Sequence, residues 1–290
     1  MYDVIIIGAG PAGLSASLYT QRANLKTLII YYDKSSLEKA ENIENYYGFE
    51  NGISGKDLYE KGIRQAQNLG VEVKQQEVLK IEPLINESAN FKVTTVKGEY
   101  KSKALILATG NKKNRPEIKG IEKFEGKGVS YCAVCDGFFY RNKDVVVLGS
   151  GNYAISEVNE LINIVKDVEI LTDGEKGPEF RADNVKIVTK PIEEITGKDR
   201  VEEVRFKDGS TLKTSGIFVA QGVAGSLDFA KKLGVITKNN YIVVNENMET
   251  NMQGLYACGD CVGGLLQVSK AVGDGAKAGM EAIKFVRKIL

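Results

Sequence analysis

The chain has 290 residues, of which 43% are hydrophobic, with 39 Lys and Arg against 38 Asp and Glu and no histidine. This length predicts about two domains, each large enough to bury its own core. A net charge of +1 gives no overall electrostatic attraction to nucleic acid or to an anionic membrane. Met1-Tyr2-Asp3 leads directly into an apolar strand, and no apolar run approaches the ~20 residues of a membrane helix. We therefore expect a cytoplasmic protein that has no signal peptide and binds neither nucleic acid nor membrane.

The first element is a short apolar run, Val4 to Ile7, which predicts a buried parallel strand. A GxGxxG pattern follows it, before an apolar helical stretch. In this pattern Gly8 permits a tight turn, Gly10 lets the backbone approach a pyrophosphate, and Gly13 lets the helix pack on the strand. The helix N-terminus attracts the phosphates. Strand, glycine loop and helix together predict a dinucleotide-binding fold.

Two later segments resemble further parts of such a fold. The next strand, Lys26 to Tyr32, is followed by Asp33, about 20 residues beyond Gly13, where an acid commonly binds a ribose. Another buried strand begins at Ala104 and ends in the turn Thr109-Gly110. We therefore expect the first dinucleotide fold to extend through this turn.

Cys132 and Cys135 are separated by two residues and are followed at once by Asp136. This spacing lets two thiols form a small disulfide ring by thiolate exchange, and a helix N-terminus there would lower one thiol pKa. We interpret the segment as a redox-active dithiol whose protons Asp136 can exchange. Half a zinc site and two buried structural cysteines are the alternatives. Zinc ordinarily needs four ligands, the only other cysteines are Cys258 and Cys261, and we expect no metal.

The chain then repeats its own opening. Asp144 to Leu148 forms a second predicted strand, and Gly149 to Ala154 forms its glycine loop. Two dinucleotide folds and a dithiol together suggest a flavin disulfide oxidoreductase, with FAD on one loop and a nicotinamide on the other. Gly216 to Ala220 predicts the return to the first domain. After it, Gly259-Asp260 can place a carboxylate beside the flavin's ribityl chain, and the closing helix would carry Gln267 close to the same cofactor.

These segments resemble the low-molecular-weight flavoprotein thioredoxin reductases over essentially the full length of the chain. The resemblance rests on Gly8-Ala-Gly-Pro-Ala-Gly13, Glu44-Asn45-Tyr46, Ala108-Thr109-Gly110, Cys132-Ala-Val-Cys-Asp136 with Gly137-Phe138-Phe139, and Gly259-Asp260. It implies an α/β fold of two Rossmann-like nucleotide-binding domains in a homodimer. The FAD domain, residues 1–110 and 216–290, would be split by an inserted dithiol domain, residues 111–215.

The resemblance also implies roles for individual residues. Cys135 would exchange electrons with FAD, Cys132 would attack the disulfide of thioredoxin, and Asp136 would be the acid. The implied FAD-binding residues are Gly8, Gly10, Pro11, Ala12, Gly13, Asp33, Asn45, Thr109, Gly110, Asp260 and Gln267.

The chain departs from this family where NADPH would bind. Members that use NADPH carry a His-Arg-Arg run after the second strand of the inserted domain, whereas here Val168 to Leu171 is followed by Thr-Asp-Gly-Glu, ending at Glu175. Carboxylates at that place would repel a 2′-phosphate. The segment Gly174 to Val185 is also too short for the usual helix, and Lys34 to Glu38 replaces the usual Gly-Gly-Gln segment.

Two interpretations of the electron donor remain open. Asp173 lies at about the spacing from its glycine loop at which an acid binds the ribose of NADH. Alternatively the second site is vestigial, as in a branch of the family from anaerobic bacteria that takes electrons from reduced ferredoxin. The chain resembles that branch in its short insert, its missing arginines and its Leu265-Leu266-Gln267 run.

We therefore predict a thioredoxin-disulfide reductase that passes electrons from reduced ferredoxin through FAD and the dithiol to thioredoxin. NADH or NADPH as donor is the alternative, and a flavin redox sensor without turnover is the hypothesis from another class. Cys258 and Cys261 are interpreted as structural. Ferredoxins are acidic, and the basic residues near the dithiol are either a docking patch or ordinary solvated charges. They are Lys112, Lys113, Arg115, Lys119, Lys123 and Lys127.

Overall fold

The structure is a computed structural model that describes residues 1–33, 35–85, 88–111 and 116–288. Contacts between Cα atoms divide the chain into two compact units. Unit 1 comprises Met1–Lys112 and Gly225–Leu290, and unit 2 comprises Lys113–Ala224. Within the described residues, no helix has both the length and the apolar character needed to cross a membrane.

Within the described residues, the strands in chain order are β1 Tyr2–Ile7, β2 Thr27–Tyr31, β3 Glu72–Gln75, β4 Val78–Pro83, β5 Phe91–Thr95, β6 Gly98–Leu107, β7 Val129–Ser130, β8 Val145–Leu148, β9 Val168–Leu171, β10 Val185–Val188, β11 Ile192–Thr196, β12 Glu203–Phe206, β13 Thr211–Lys213, β14 Ile217–Val219, β15 Thr237–Lys238, β16 Tyr241–Ile242 and β17 Leu255–Ala257. The α-helices are α1 Pro11–Arg22, α2 Gly55–Asn68, α3 Ala133–Asp136, α4 Asn152–Leu161, α5 Ser226–Lys232 and α6 Val268–Lys288. The 3-10 turns are Ser36–Lys39, Gly137–Tyr140 and Gly259–Val262.

Unit 1 is built on a seven-stranded sheet in the order β3-β2-β1-β6-β5-β4, with β17 also paired to β6. Strand β1 lies between β2 and β6 and is parallel to both, with Ile5 opposite Leu28 on one side and Leu105 on the other. A strand buried on both faces must be apolar throughout, which is why Val4 to Ile7 reads as an unbroken hydrophobic run. Helix α6 packs on α1, where the Ser15 hydroxyl donates to the Val272 carbonyl at 2.8 Å.

Unit 2 has a five-stranded parallel sheet in the order β10-β9-β8-β14-β7 and a three-stranded antiparallel sheet of β11, β12 and β13. Its buried residues form a core of their own, separate from the core of unit 1. The predicted fold class, an α/β protein with two Rossmann-like parallel sheets, is confirmed.

The prediction that Gly216 to Ala220 marks the return to the first domain is wrong. Strand β14 lies in this segment and pairs in parallel with β8 and β7, both in unit 2. Phe218 packs edge-to-face on Tyr140 with the ring centroids 5.3 Å apart, and a Cβ on Gly216 would lie 2.3 Å from the same ring. Because β14 fills the place between β7 and β8, the chain returns to unit 1 only at Gly225.

Candidate active site

The first glycine loop, Gly8 to Gly13, joins β1 to α1. Gly8 has a φ of +114°, and a Cβ there would lie 2.3 Å from the carbonyl oxygen of Ala108. A Cβ on Gly13 would lie 2.0 Å from the carbonyl oxygen of Gly8. At Gly10, by contrast, the nearest atom to a Cβ would be Ser35 Oγ at 3.7 Å. The loop is therefore closed against the protein at Gly8 and Gly13 and open at Gly10.

Helix α1 begins beside this open space. Pro11 is its first residue, buried Ala12 follows, and among the described side chains none caps the helix at Gly10. The N–H groups of the first turn and the positive end of the helix dipole are therefore available to an anion. This arrangement fits the pyrophosphate of a dinucleotide.

Two of the predicted contact residues meet although they lie 222 positions apart. Asn45 donates from Nδ2 to Oε1 of Gln267 at 3.0 Å. Asp260 lies in the 3-10 turn before α6, and burial raises the pKa of its carboxyl group. Asp33 is exposed, just beyond the end of β2. The fold thus joins the Asn45 loop directly to the segment that precedes α6.

Thr109 is hydrogen-bonded to Ser226, a residue that the sequence analysis missed. The Thr109 N–H and hydroxyl both donate to Ser226 Oγ, at 3.0 and 2.9 Å, and the Ser226 N–H donates back to Thr109 Oγ1 at 2.7 Å. Ser226 is the first residue of α5, where the Asp228 carboxylate accepts from the Gly225 N–H at 2.8 Å. A serine and an aspartate at a helix start were the available signal. Gly110 follows with a φ of +74°.

Lys270 and Asp274, which the sequence analysis also missed, hold the turn that carries Asp260. Lys270 binds Asp274 one helical turn away at 2.7 Å and donates to the carbonyls of Gly259 and Gly263. Asp274 in turn accepts from the Gly259 N–H at 3.2 Å. The lysine and aspartate spacing of i and i+4 on a predicted helix was the signal.

In unit 2, a disulfide joins Cys132 to Cys135 at the start of α3. Cys132 is the N-cap residue, and the Cys135 N–H donates to its sulfur at 3.2 Å. Ser130 fixes the neighbouring acid: its hydroxyl donates to Asp136 Oδ2 at 2.6 Å and accepts from the Cys132 N–H at 3.1 Å. One serine hydroxyl therefore connects the backbone of the first cysteine to the carboxylate, and no pattern in the sequence indicates that role.

The two cysteines differ in exposure. Cys132, the predicted attacking thiol, is only 4% exposed, whereas Cys135 is exposed. A thiol that attacks another protein's disulfide must be accessible to it. A thiol that exchanges electrons with FAD must be accessible as well, so the exposure of Cys135 does not by itself assign the attack on thioredoxin to it.

The model of the pyridine nucleotide-disulphide oxidoreductase family matches residues 2–275. The thioredoxin reductase of Listeria innocua is 35% identical over 308 aligned positions, covering 100% of this chain and 95% of that protein. The chain belongs to this family, among the thioredoxin reductases. The crystal structure of the atypical thioredoxin reductase TRi from Desulfovibrio vulgaris Hildenborough shares 40% identity and a TM-score of 0.91, with 99% of each chain covered. A ferredoxin-flavin thioredoxin reductase from Clostridium acetobutylicum shares 34% identity and a TM-score of 0.68, with 99% and 98% covered.

Thioredoxin reductases of this family bind FAD, and the predicted cofactor is confirmed. The open space at Gly10 and the uncapped start of α1 suit the pyrophosphate of FAD. The carboxylate of Asp260 suits the sugar-like hydroxyl groups of the same cofactor.

The second glycine loop of this thioredoxin reductase repeats the backbone of the first. A Cβ on Gly149 would lie 2.3 Å from the Ala220 carbonyl oxygen, the same separation as at Gly8. Here, however, the Ser150 hydroxyl donates to a carboxylate oxygen of Glu175, a residue from the turn after β9. The Asp173 carboxylate, predicted to be available for the ribose of NADH, accepts from the Ile192 N–H at 2.6 Å. Both carboxylates after β9 are therefore engaged by the protein itself.

Cys258 and Cys261, the second CxxC pair, are free thiols in unit 1 and are 0% and 3% exposed. Burial raises the pKa of both thiols, that of Cys261 to about 12. Protonated and inaccessible thiols fit a structural role. Among the described residues, no three His, Cys, Asp or Glu side chains converge as metal ligands.

The predicted basic patch is only partly described. Lys112, Lys113 and Arg115 lie outside the described residues. Of the others, Lys119 pairs with Glu194 at 2.8 Å, and Lys123 lies 4.6 Å from the Phe124 ring centroid and 3.4 Å from the Gly197 carbonyl oxygen. Lys127 is exposed. Glu194 also pairs with Arg205 at 2.7 Å, so one carboxylate serves both cations.

Proposed function

We propose that this thioredoxin reductase receives its electrons from reduced ferredoxin and passes them to thioredoxin through the Cys132–Cys135 dithiol. The observation that carries the proposal is the hydrogen bond from Ser150 to Glu175. It sets a carboxylate against the glycine loop on which the phosphates of a nicotinamide nucleotide would have to lie.

The carboxylate of Glu175 disfavours the binding of both NADH and NADPH. A phosphate placed beside Glu175 would meet a like charge, which costs on the order of 1 kcal/mol or more at a partly exposed site. NADH would also need an acid for its ribose, and the Asp173 carboxylate is already bonded to the backbone of Ile192. The segment between β9 and β10 supplies only Lys176 and Arg181 as cations, in place of the His-Arg-Arg run of NADPH-dependent members.

Ferredoxin is an energetically adequate donor. A plant-type ferredoxin near −400 mV that reduces thioredoxin near −270 mV releases roughly 6 kcal/mol for two electrons. The similarity to a ferredoxin-flavin thioredoxin reductase at 34% identity supports the same donor. A Lactococcus lactis thioredoxin reductase is also 34% identical to this chain, so the identities do not separate the donors and the carboxylate at the second loop carries the argument.

For the reaction itself, we keep the roles that the family resemblance implies, in which Cys132 attacks the disulfide of thioredoxin and Cys135 exchanges electrons with FAD. The Cys132 thiolate would form a mixed disulfide with thioredoxin, and Cys135 would then displace the thioredoxin thiol and restore the Cys132–Cys135 disulfide. Asp136, held by Ser130, would give a proton to the departing thiolate. The predicted exchange between Cys135 and FAD remains part of the proposal. Bound FAD supplies the ability to accept electrons singly and to give them up in pairs.

The residues proposed to hold FAD are those around the first loop and the α6 start. Asn45 and Gln267 would act as a pair, and Asp260 would bind a hydroxyl group of the cofactor. The full proposed set is Gly8, Gly10, Pro11, Ala12, Gly13, Asp33, Asn45, Thr109, Gly110, Asp260 and Gln267.

Anaerobic mixing tests the donor directly. The oxidised enzyme is mixed separately with reduced ferredoxin, NADH and NADPH, and bleaching of the flavin absorbance is followed. We expect rapid bleaching with ferredoxin and multiple turnovers of thioredoxin reduction. Rapid, saturable bleaching by micromolar NADH or NADPH would overturn the ferredoxin assignment, and bleaching without turnover would favour the flavin redox sensor.

We also propose that the enzyme is a cytoplasmic homodimer, as the family resemblance implies. Light scattering on the eluting holoenzyme tests the oligomeric state. A mass equal to one chain, 31.7 kDa, at micromolar concentration would contradict the dimer.

A further inference from the structure

A lysine on α6 binds both ends of the turn that carries Asp260. The ammonium group of Lys270 donates to the carbonyl oxygen of Gly259 at 3.0 Å and to that of Gly263. Its third contact is Oδ2 of Asp274, at 2.7 Å. Gly259 begins the 3-10 turn and Gly263 follows its last residue. Asp260 therefore lies on a segment whose two ends are joined through one ammonium group.

The contacts of Lys270 within the protein use its full hydrogen-bonding capacity. An ammonium group has three N–H donors, and three oxygen atoms of the protein accept from it. Asp274 adds a further link to the turn, since its Oδ2 also accepts from the Gly259 N–H at 3.2 Å. Lys270 therefore acts on a bound cofactor through the turn rather than by a hydrogen bond of its own.

The turn lies against the start of α1, beside the first glycine loop. Gly259 has a φ of +78°, and a Cβ there would lie 2.8 Å from the Cβ of Ala12. On α6, a Cβ on Gly275 would lie 2.0 Å from the carbonyl oxygen of Ala12. Ala12 belongs to the first turn of α1, whose N–H groups are available to the pyrophosphate. A displacement of the turn would therefore change the place of Asp260 relative to the start of α1.

The ion pair also acts on the charge of Asp260. Burial raises the pKa of the Asp260 carboxyl group, the positive charge of Lys270 opposes that rise, and the negative charge of Asp274 adds to it. An ionised carboxylate accepts a hydrogen bond from a hydroxyl group more strongly than a neutral carboxyl group does. The charge of Lys270 therefore favours the form of Asp260 that binds a hydroxyl group.

We propose that Lys270 is a positioning residue of the FAD site, which holds the turn Gly259–Val262 so that the Asp260 carboxylate meets a hydroxyl group of the cofactor. The inference rests on the proposed role of Asp260 in binding FAD. Asp274, one helical turn along α6, anchors the ammonium group. The first two turns of α6 thereby support the cofactor site as well as carrying Gln267 to it.

A double-mutant cycle tests the proposal, with Lys270→Met introduced into the wild-type chain and into Asp260→Asn. Flavin fluorescence during serial dilution of each holoenzyme gives the dissociation constant of FAD. We expect Lys270→Met to raise this constant about tenfold in the wild-type chain, the effect of one hydrogen bond to a charged group. In Asp260→Asn the same substitution should change it by less than about twofold, because the carboxylate through which Lys270 acts is absent.

A second variant guards against misfolding, because Lys270→Met leaves the carboxylate of Asp274 without this ion pair. The double substitution Lys270→Met with Asp274→Asn removes both charges, and the new amide keeps an acceptor for the Gly259 N–H. The FAD dissociation constant should again rise by about tenfold. Far-UV circular dichroism establishes that each variant is folded.

Lys284→Met is the matched control on the same helix. Lys284 binds Glu281 at 2.7 Å, but its side chain is 61% exposed, against 21% for Lys270. An exposed ion pair of this kind contributes little to the fold. The control should therefore bind FAD as wild type does.

A wild-type FAD dissociation constant in folded Lys270→Met and in the double substitution would overturn the role of Lys270. An equal rise in both chains of the cycle would also overturn it, since that pattern indicates a general effect on the fold. A wild-type constant in Asp260→Asn alone would instead overturn the proposed role of Asp260 in binding FAD. The two failures are therefore distinguishable.

Discussion

Each unit of this thioredoxin reductase carries one glycine loop and one CxxC pair, and the two units use them in opposite ways. Unit 1 leaves its loop open at Gly10 and buries Cys258 and Cys261 as free thiols. Unit 2 sets the carboxylate of Glu175 against its loop through Ser150 and joins Cys132 to Cys135 in a disulfide. The glycine and cysteine patterns by themselves therefore do not determine which element performs the chemistry.

The neighbours of each pattern make the difference. The atom nearest a Cβ on Gly10 would be the neutral hydroxyl oxygen of Ser35, which follows β2, whereas the carboxylate of Glu175, which follows β9, accepts a hydrogen bond from Ser150 in the second loop. The cysteine pairs differ in the same way. Cys258 ends a buried strand segment, while Cys135 lies on the exposed side of a four-residue helix.

The largest effect should come from the working cysteine pair. We expect Cys135→Ser to lower thioredoxin reduction by at least about 1,000-fold while FAD remains bound, because no disulfide exchange can occur without both thiols. Turnover with thioredoxin and the bound flavin spectrum measure this. Cys261→Ser is the control and should keep more than half of the activity, whereas an equal loss in both variants would contradict the contrast between the pairs.

A methyl group in each loop tests whether only the first loop holds a cofactor. A Cβ on Gly10 would lie 3.7 Å from its nearest neighbour and a Cβ on Gly151 would lie 3.8 Å away, so both alanine variants should fold. We expect Gly10→Ala to weaken FAD binding by roughly 100-fold, because the backbone can no longer approach the pyrophosphate. Gly151→Ala should bind FAD as wild type does. Fluorescence titration of the apoproteins gives both dissociation constants, and equal affinities would contradict the assignment.

Removing the carboxylate from the second loop should make the two loops more alike. We expect Glu175→Gln to strengthen binding of NADH or NADPH by about tenfold, since a like charge beside the phosphates is lost. Ferredoxin-driven turnover should stay within about twofold of wild type. Isothermal titration with each nucleotide checks the first point. Nucleotide binding unchanged from wild type would show that Glu175 does not weaken nucleotide binding at the second glycine loop.

The smallest effect concerns the stability of the protein at alkaline pH, which depends on the buried thiol of Cys261. Burial raises the pKa of Cys261 from its ordinary value of 9.0 to about 12. The unfolded thiol therefore ionises above pH 9 while the folded one does not, so the stability from this group is full below pH 9 and is lost as pH rises towards 12. At pH 10 the loss is about 1.4 kcal/mol. Urea unfolding at pH 8 and pH 10 should show a smaller loss in Cys261→Ser than in wild type, and equal losses would contradict a buried, protonated thiol.

Much of the candidate site could be predicted from local sequence. Gly8, Gly10 and Gly13 occupy a strand-loop-helix pattern whose chemistry is fixed by a few neighbouring residues, and the spacing of Cys132 and Cys135 permits a disulfide ring. Ser226, which the sequence analysis missed, acts through hydrogen bonds to Thr109, 117 positions away. A single serine in a helix carries no pattern that predicts such a partner.

The sequence by itself determined the two nucleotide-type folds, the dithiol, the FAD cofactor and the thioredoxin reductase family, because each depends on residues that are close together in the chain. Only the tertiary structure decided that β14 belongs to unit 2, that Asn45 meets Gln267 and that Glu175 reaches Ser150. It also decided which cysteine is exposed. Sheet order and helix packing set these approaches between distant segments, and a pattern read along the chain does not contain them.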